Sequence, residues 1–300
     1  MEGSGESRDS PTDDDCVVVI VHCVDLTSCI SKCNTATEHA ETFEKRILKL
    51  FFLCELCGKR LSQEVYYSYT SGNVKGMQNM ELIKIKLSFS NAYLIKDKKS
   101  ILVDAGSPNE ADKILGAVQK AGINSRDISL ILHTHGHFDH AGSTAELKRR
   151  LKIPVAVHAN DAFMLREGRN GEIKPRNFEA RLIQLLVPNS FEATEPDILI
   201  EEEMDLHDFG VEARIIFTPG HTKGSISVLC NNEAIVGDVM MGGWAGGAIL
   251  GSRPNYHYFI DDVEQVRASL KKILGFKPQR LYVGHGGHLK FEDVRERFLR

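Results

Sequence analysis

The chain predicts an α/β (α+β) fold of the αββα type, two β-sheets packed face to face with helices outside. Three observations predict it. From Met80 onward, short apolar runs alternate with segments of helical periodicity. The runs fall into two β-rich halves, each followed by helices, so that each sheet can bury one face on the other and one under helices. Four of the runs end in His or Asp, which places polar chemistry at the strand tips.

The elements follow in order. Strands are expected near 82–87, 92–96 and 99–103, the first from Glu81-Leu82-Ile83-Lys84-Ile85-Lys86-Leu87, and a helix near 109–121. The apolar run Ile128-Ser129-Leu130-Ile131-Leu132 predicts the next strand, followed by a helix from His140 to about Arg150 and a strand over 154–157. Residues 179–186 read as helix. Strands near 197–200, 211–217, 225–229 and 234–237 form the second half. Ile215-Ile216-Phe217 ends it in a Pro-Gly turn at one strand, and Ala234-Ile235-Val236-Gly237 ends in Asp238 at another. A helix near 261–274, a strand at 280–283 and a helix from about 291 complete the chain.

The organisation divides near Met80, into an N-terminal extension, 1–79, and a catalytic domain, 80–300. Residues 1–15 are acidic and rich in Gly and Ser and read as a disordered tail. Phe43, Ile47, Leu50, Phe51, Cys54 and Cys57 fall at helical spacing, predicting an amphipathic helix from Glu38 to Cys57. Met77 and Met80 stand directly ahead of the first strand, an arrangement compatible with an over-extended reading frame. Six of the seven cysteines lie in the first 57 residues. Cys29, Cys33, Cys54 and Cys57 have spacings that a four-thiolate zinc site could use, but the first pair sits in no knuckle, so incidental thiols are the expectation.

Composition excludes several classes. The formal charge is −4, and residues 80–300 carry equal numbers of acidic and basic side chains, so no basic footprint for nucleic acid exists. Val17 to Val21 is too short to span a bilayer, and Asp13-Asp14-Asp15 has the wrong sign for a secretory signal. The expectation is a cytoplasmic protein with reduced thiols, a small-molecule substrate and no membrane partner. Its oligomeric state is open, a dimer included.

The densest signal is Leu132-His133-Thr134-His135-Gly136-His137-Phe138-Asp139-His140. Histidine is neither a strong strand former nor cheap to bury unpaired, so packing does not account for the cluster, whereas a metal does. Alternate side chains, His135 and His137, can converge on one point while Asp139 and His140 aim at a second, so two metals side by side are expected. Pro219-Gly220-His221-Thr222, Gly237-Asp238 and Gly284-His285-Gly286 present further donors at strand ends.

These motifs, in this order, resemble the metallo-β-lactamase superfamily from about Met80 to the C-terminus. The resemblance implies the αββα sandwich and assigns one metal to His135, His137 and His221 and the other to Asp139, His140 and His285, with Asp238 bridging. It implies two zinc ions, iron or manganese also being compatible with a thiolate-free donor set. Asp139 would orient the nucleophilic water and act as general base. His133 lies just outside the matched pattern and reads either as a residue behind the ligands or as a strand-end residue. Asp104 matches a family acid that orients a ligand imidazole, an N-cap or turn role being the alternative.

The chemistry so implied is hydrolysis by a metal-bridged hydroxide of a small ester, thioester, lactone or related acyl substrate. The alternatives are a mononuclear non-haem iron persulfide dioxygenase, a phosphodiesterase or a promiscuous β-lactamase. Few residues follow His285, which leaves little room for the helical glutathione-binding segment of hydroxyacylglutathione hydrolases. Met241 stands where acyl-homoserine lactonases carry a Tyr, and Asp238 is an acid that dizinc β-lactamases lack. Residues 240–258, rich in Gly around the sole Trp, read either as a flap with an aromatic face or as a packed connection whose Trp244 plugs the core.

All seven proposed ligands follow Met80, so a chain beginning at Met80 is expected to express, bind metal and turn over substrate like the full chain. Purification, metal analysis and an activity assay check this. Aggregation of the shortened chain would show instead that the 38–57 helix covers apolar surface, since five or six buried apolar side chains at ~1.5–3 kcal/mol each outweigh a typical net stability.

Overall fold

A computed structural model describes residues 80–299. The polar tail, the helix expected over 38–57 and the clustered N-terminal cysteines lie outside the described residues.

Two six-stranded sheets carry the domain. In the first, β1 (Glu81–Lys86), β2 (Asn91–Lys96), β3 (Ser100–Val103), β4 (Ile128–Leu132), β5 (Val155–His158) and β6 (Ile198–Ile200) lie in sequence order. β1 to β3 pair antiparallel and β3 to β6 pair parallel. Parallel neighbours need crossovers, and helices provide the first two. α1 (Ala111–Lys120) joins β3 to β4, while α2 (Phe138–Ala141) and α3 (Thr144–Leu151) join β4 to β5. α4 (Ala162–Glu167) and α5 (Phe178–Gln184) precede β6.

The second sheet contains β7 (Met204–Asp205), β8 (Ala213–Phe217), β9 (Ile226–Cys230) and β10 (Glu233–Gly237). β11 (Met241–Trp244) and β12 (Ile249–Asn255) form a separate hairpin, after which come α6 (Val263–Gly275), β13 (Arg280–Val283), β14 (His288–Lys290) and α7 (Phe291–Phe298). The spatial order is β14, β13, β10, β9, β8, β7, with β10 and β13 parallel across the α6 crossover.

The two-residue period of a strand divides its side chains between two apolar layers. Tyr93, Ile95, Ile101, Val103, Leu130 and Leu132 pack between the sheets with Ile215, Val228, Ile235 and Tyr282. Their neighbours of opposite parity, Leu94, Leu102 and Ile131, meet Ile114 and Val118 of α1 and Leu147 of α3. On the other sheet Ile216, Ala234, Val236, Leu281 and Val283 meet Val266, Leu270, Ile273 and Leu274 of α6. Strands buried on both faces read as continuous apolar runs, which is why they were legible without alternation. The architecture is the αββα sandwich.

Several elements differ from expectation, and α4, β7 and β14 stand where the sequence predicted none. The helix predicted from His140 to about Arg150 is broken into α2 and α3. At the break the Gly142 N–H reaches Gly106 O at 2.8 Å, and a Cβ at Gly142 would lie 2.4 Å from Pro108 N, so the backbone is pressed against the β3–α1 loop. Residues 240–258 form a hairpin rather than a loop, and Trp244 is 42% exposed, which overturns the reading of it as a core plug. Among the described residues no helix is long and apolar enough to cross a membrane.

Leu130 is fully buried between the sheets. Leu130→Ala is expected to lower stability by about 2–5 kcal/mol through lost burial and the residual cavity, read as a shift of the urea unfolding midpoint of the full chain.

Candidate metal centre

The C-terminal ends of β4, β8, β10 and β13 bring their following residues to one edge between the sheets. The backbone there is shaped for it. Gly237 has φ +50°, and a Cβ on it would lie 2.7 Å from Thr134 Oγ1. Asp104, after β3, has φ +64°, a conformation Asp tolerates better than most residues. Its carboxylate accepts from Thr134 N and Thr134 Oγ1, both at 2.8 Å, and contacts His140 Nδ1 at 2.9 Å.

All seven side chains named as ligands from the sequence meet in this edge. His135, His137 and His221 form one set whose donor atoms lie within 4.8 Å of one another, and Asp139, His140 and His285 form another. Asp238 Oδ2 faces both sets, 3.8 Å from His135 Nε2, 3.7 Å from His221 Nε2, 3.4 Å from His140 Nε2 and 3.2 Å from His285 Nε2. Asp139 Oδ2 is 3.2 Å from His285 Nε2.

The outward nitrogens of these rings are held by neighbours. His221 Nδ1 contacts Phe259 O and His285 Nδ1 contacts Phe89 O, each at 2.8 Å. His140 Nδ1 is held by Asp104, and His135 Nδ1 lies 3.1 Å from Thr134 Oγ1. With Nδ1 held by those acceptors, Nε2 is the atom left to face inward, and once free of its own proton it offers the lone pair a metal takes. His137 is reversed, its Nδ1 facing His221 Nε2 at 3.1 Å.

Burial acts first on the first set. It depresses His137 to about 4, His221 to about 3 and His135 well below its ordinary value, so these rings are neutral donors at physiological pH. The second set behaves oppositely. Burial alone would lower His285, but Asp238 and Asp139 lift it to about 10, and against the same burial Asp238, Asp104 and Asp139 raise His140. Burial would raise Asp139 and Asp238, yet the surrounding imidazoles hold both below the usual carboxylate range.

A divalent cation fits these residues. His135 Nε2, His140 Nε2 and Asp238 Oδ1 are buried without a hydrogen-bond partner, a costly arrangement for polar atoms unless a further group takes them up. Imidazole and carboxylate without thiolate suit zinc, iron or manganese.

His133 is fully buried but belongs to neither set; its Nε2 lies 3.0 Å from Thr144 Oγ1 at the start of α3, and its Nδ1 is 3.7 Å from Asp104 Oδ1. Three residues were not found by sequence reasoning. Asp161, beyond β5, receives Gly136 N at 3.1 Å, Thr222 Oγ1 at 2.7 Å and Gly224 N at 2.9 Å, tying the His135–His137 turn to the His221 turn. Burial pushes its carboxyl up to about 6, against those three donors. Asn170 accepts Phe138 N at 2.8 Å at the head of α2. His257 brings Nε2 to 3.3 Å from Asp238 Oδ2. An acid shortly after a strand was the available signal for Asp161, the same one that marks Asp104 and Asp238. His257, inside a Tyr-His-Tyr-Phe run, carried no such mark.

The hairpin packs over the His285 turn. Gly242 N donates to His285 O at 2.8 Å and Gly287 N to Gly251 O at 2.9 Å, approaches that side chains at Gly242 or Gly286 would block.

Residues 85–285 match the family model described as Metallo-beta-lactamase superfamily. The probable metallo-hydrolase MJ0888 of Methanocaldococcus jannaschii is 33% identical over 201 residues, spanning 66% of this chain and 87% of that protein. The probable metallo-hydrolase YflN of Bacillus subtilis is 26% identical over 222 residues, spanning 67% of this chain and 82% of that protein. The crystal structure of BLEG-1 B3 metallo-β-lactamase shares the fold, with a TM-score of 0.53 at 22% identity over 73% of this chain and 98% of that one.

A Cβ at Gly284 would lie 2.0 Å from Asp238 Oδ1 and 2.6 Å from His140 Cε1. Gly284→Ala is therefore expected to displace the shared carboxylate and weaken metal affinity by about 10–100-fold, the range typical of disturbed ligand support. Chelator competition measures the loss, and a melting curve reports whether the sandwich survives.

Proposed function

The chain belongs to the metallo-β-lactamase superfamily, and from that premise we propose that it is a metal-dependent hydrolase of a small ester, thioester, lactone or related acyl substrate, working with two divalent ions, zinc by default. The catalytic work falls to residues 80–300. The observation that carries the reading is the pair of three-donor sets sharing Asp238 Oδ2. His135, His137 and His221 would hold one ion and Asp139, His140 and His285 the other. Two such ions supply a water of lowered pKa and polarise the carbonyl under attack.

The residues divide the remaining tasks. Asp238 has its charge matched from both sides and holds the two sets together. Asp139, with 13% of its side chain exposed, is the most accessible of the seven, and its carboxylate stays ionised beside His140 and His285. It is placed to hold a water proton while keeping one oxygen for ligation, which makes it the general base. His140, fixed by Asp104, and His285, fixed by Phe89 O, stand 3.8 and 3.2 Å from Asp139 Oδ2.

Metal analysis of the full chain should approach two equivalents. A panel of p-nitrophenyl esters, thioesters, lactones, phosphodiesters and a cephalosporin should give its highest turnover on an acyl substrate. Asp139→Asn should lower that turnover by about 10²–10⁴-fold, with binding of the first metal retained. One equivalent after reconstitution, together with oxygen uptake on a persulfide, would point instead to an iron dioxygenase. Near-normal turnover by Asp139→Asn would remove Asp139 from its role.

A further inference from the structure

We infer that His257 is a positioning residue for Asp238, holding an Nε2–H against the carboxylate oxygen that faces both donor sets. The inference rests on the reading that Asp238 joins two ions. His257 stands outside the two sets assigned above, though with His221 and Asp238 it makes a further cluster of three donors; its side chain is only 7% exposed, and its Nε2 lies 3.3 Å from Asp238 Oδ2. It packs edge-on against His221, with ring centroids 4.6 Å apart, and 5.2 Å from the ring of His285. It therefore packs against two of the imidazoles that approach the same carboxylate oxygen.

Two hydrogen-bond arrangements are open to the ring. Nδ1 lies 3.1 Å from Phe259 O and 3.2 Å from Phe259 N. In the first arrangement Nδ1–H donates to the carbonyl, and Nε2 turns a bare lone pair toward a carboxylate. In the second the Phe259 N–H donates to Nδ1, so the ring proton sits on Nε2 and points at Asp238 Oδ2.

The backbone decides between them. Phe259 O already accepts His221 Nδ1 at 2.8 Å. The neighbouring strand segment uses Tyr258 O, which accepts Arg176 N at 2.9 Å, and Ile260 N, which donates to Lys174 O at 3.1 Å. That pairing turns the Phe259 N–H inward, where His257 Nδ1 is its acceptor among the described residues. A carbonyl can accept twice, but only the second arrangement gives this buried N–H a partner, and a buried unpaired N–H is costly. The second arrangement also satisfies Asp238 Oδ2. The backbone of one residue thus orients two imidazoles in opposite tautomers, His221 as a lone-pair donor through Phe259 O and His257 as a proton donor through Phe259 N.

The test uses the full-length protein loaded with zinc and labelled with ¹⁵N-histidine. Long-range ¹⁵N–¹H correlation spectra, assigned by difference from His257→Gln, should show His257 protonated at Nε2. A proton on Nδ1 with Nε2 shifted by zinc would overturn the inference and make His257 a ligand. In chelator competition His257→Ala should weaken zinc retention by about 10–100-fold. His257→Gln, whose amide N–H can reach the same oxygen, should restore retention toward the wild-type value. Wild-type retention in His257→Ala, or a Gln variant as poor as the Ala one, would overturn it. A wild-type chain that holds fewer than two zinc equivalents would fail at the earlier step, in the dinuclear reading, before the variants are compared.

Discussion

Asp238 is a carboxylate almost wholly removed from water, and imidazole nitrogens of five histidines lie 3.2–3.8 Å from one of its oxygens. A charge buried so deeply is tolerable only where opposite charge and hydrogen-bond donors surround it. The rest of the domain is arranged to satisfy that condition. β10 delivers the carboxylate, and β13, parallel to it, passes Gly284 close against it where no side chain fits. β4 in one sheet leads to His135 and His140, while β8 and β13 in the other lead to His221 and His285. The packing of those sheets sets the spacing of the donors, because the donors are divided between them.

The supporting contacts are of two kinds. Carboxylates fix some elements directly, Asp104 holding His140 and Thr134, and Asp161 joining the turns that carry His135, His137 and His221. Main-chain atoms fix others, Phe89 O for His285 and Phe259 O for His221. Main-chain support is rigid because it moves only with the backbone, and it does not depend on the supporting side chain. Phe89 is itself largely exposed. A residue can therefore support the site through its backbone while its side chain remains free for another use.

The β11–β12 hairpin shows a different use of glycine. Its backbone lies against the His285 turn closely enough that Gly242 and Gly286 admit no Cβ, while Trp244, Ile249 and Leu250 face solvent. The glycines there serve close approach of two backbones as much as turning of the chain.

The amino-acid sequence by itself determined the layering and the seven donors clustered at one edge. Burial on both strand faces writes itself as continuous apolar runs, and metal donors at strand ends stand out because His and Asp are expensive inside a core. It also marked Asp104 and His133 as neighbours of the site, though not what each would touch. Tertiary structure alone decided the rest. The broken helix at Gly142 depends on a contact with the β3–α1 loop, more than thirty residues away in the chain. Asp161 and His257 matter only because folding sets them against Gly136, Thr222 and Asp238, and no local pattern encodes such distances. The exposure of Trp244 depends on how the hairpin lies over the His285 turn. Local composition states which groups must be buried or held, but which partner holds them is settled by contacts between segments remote in sequence.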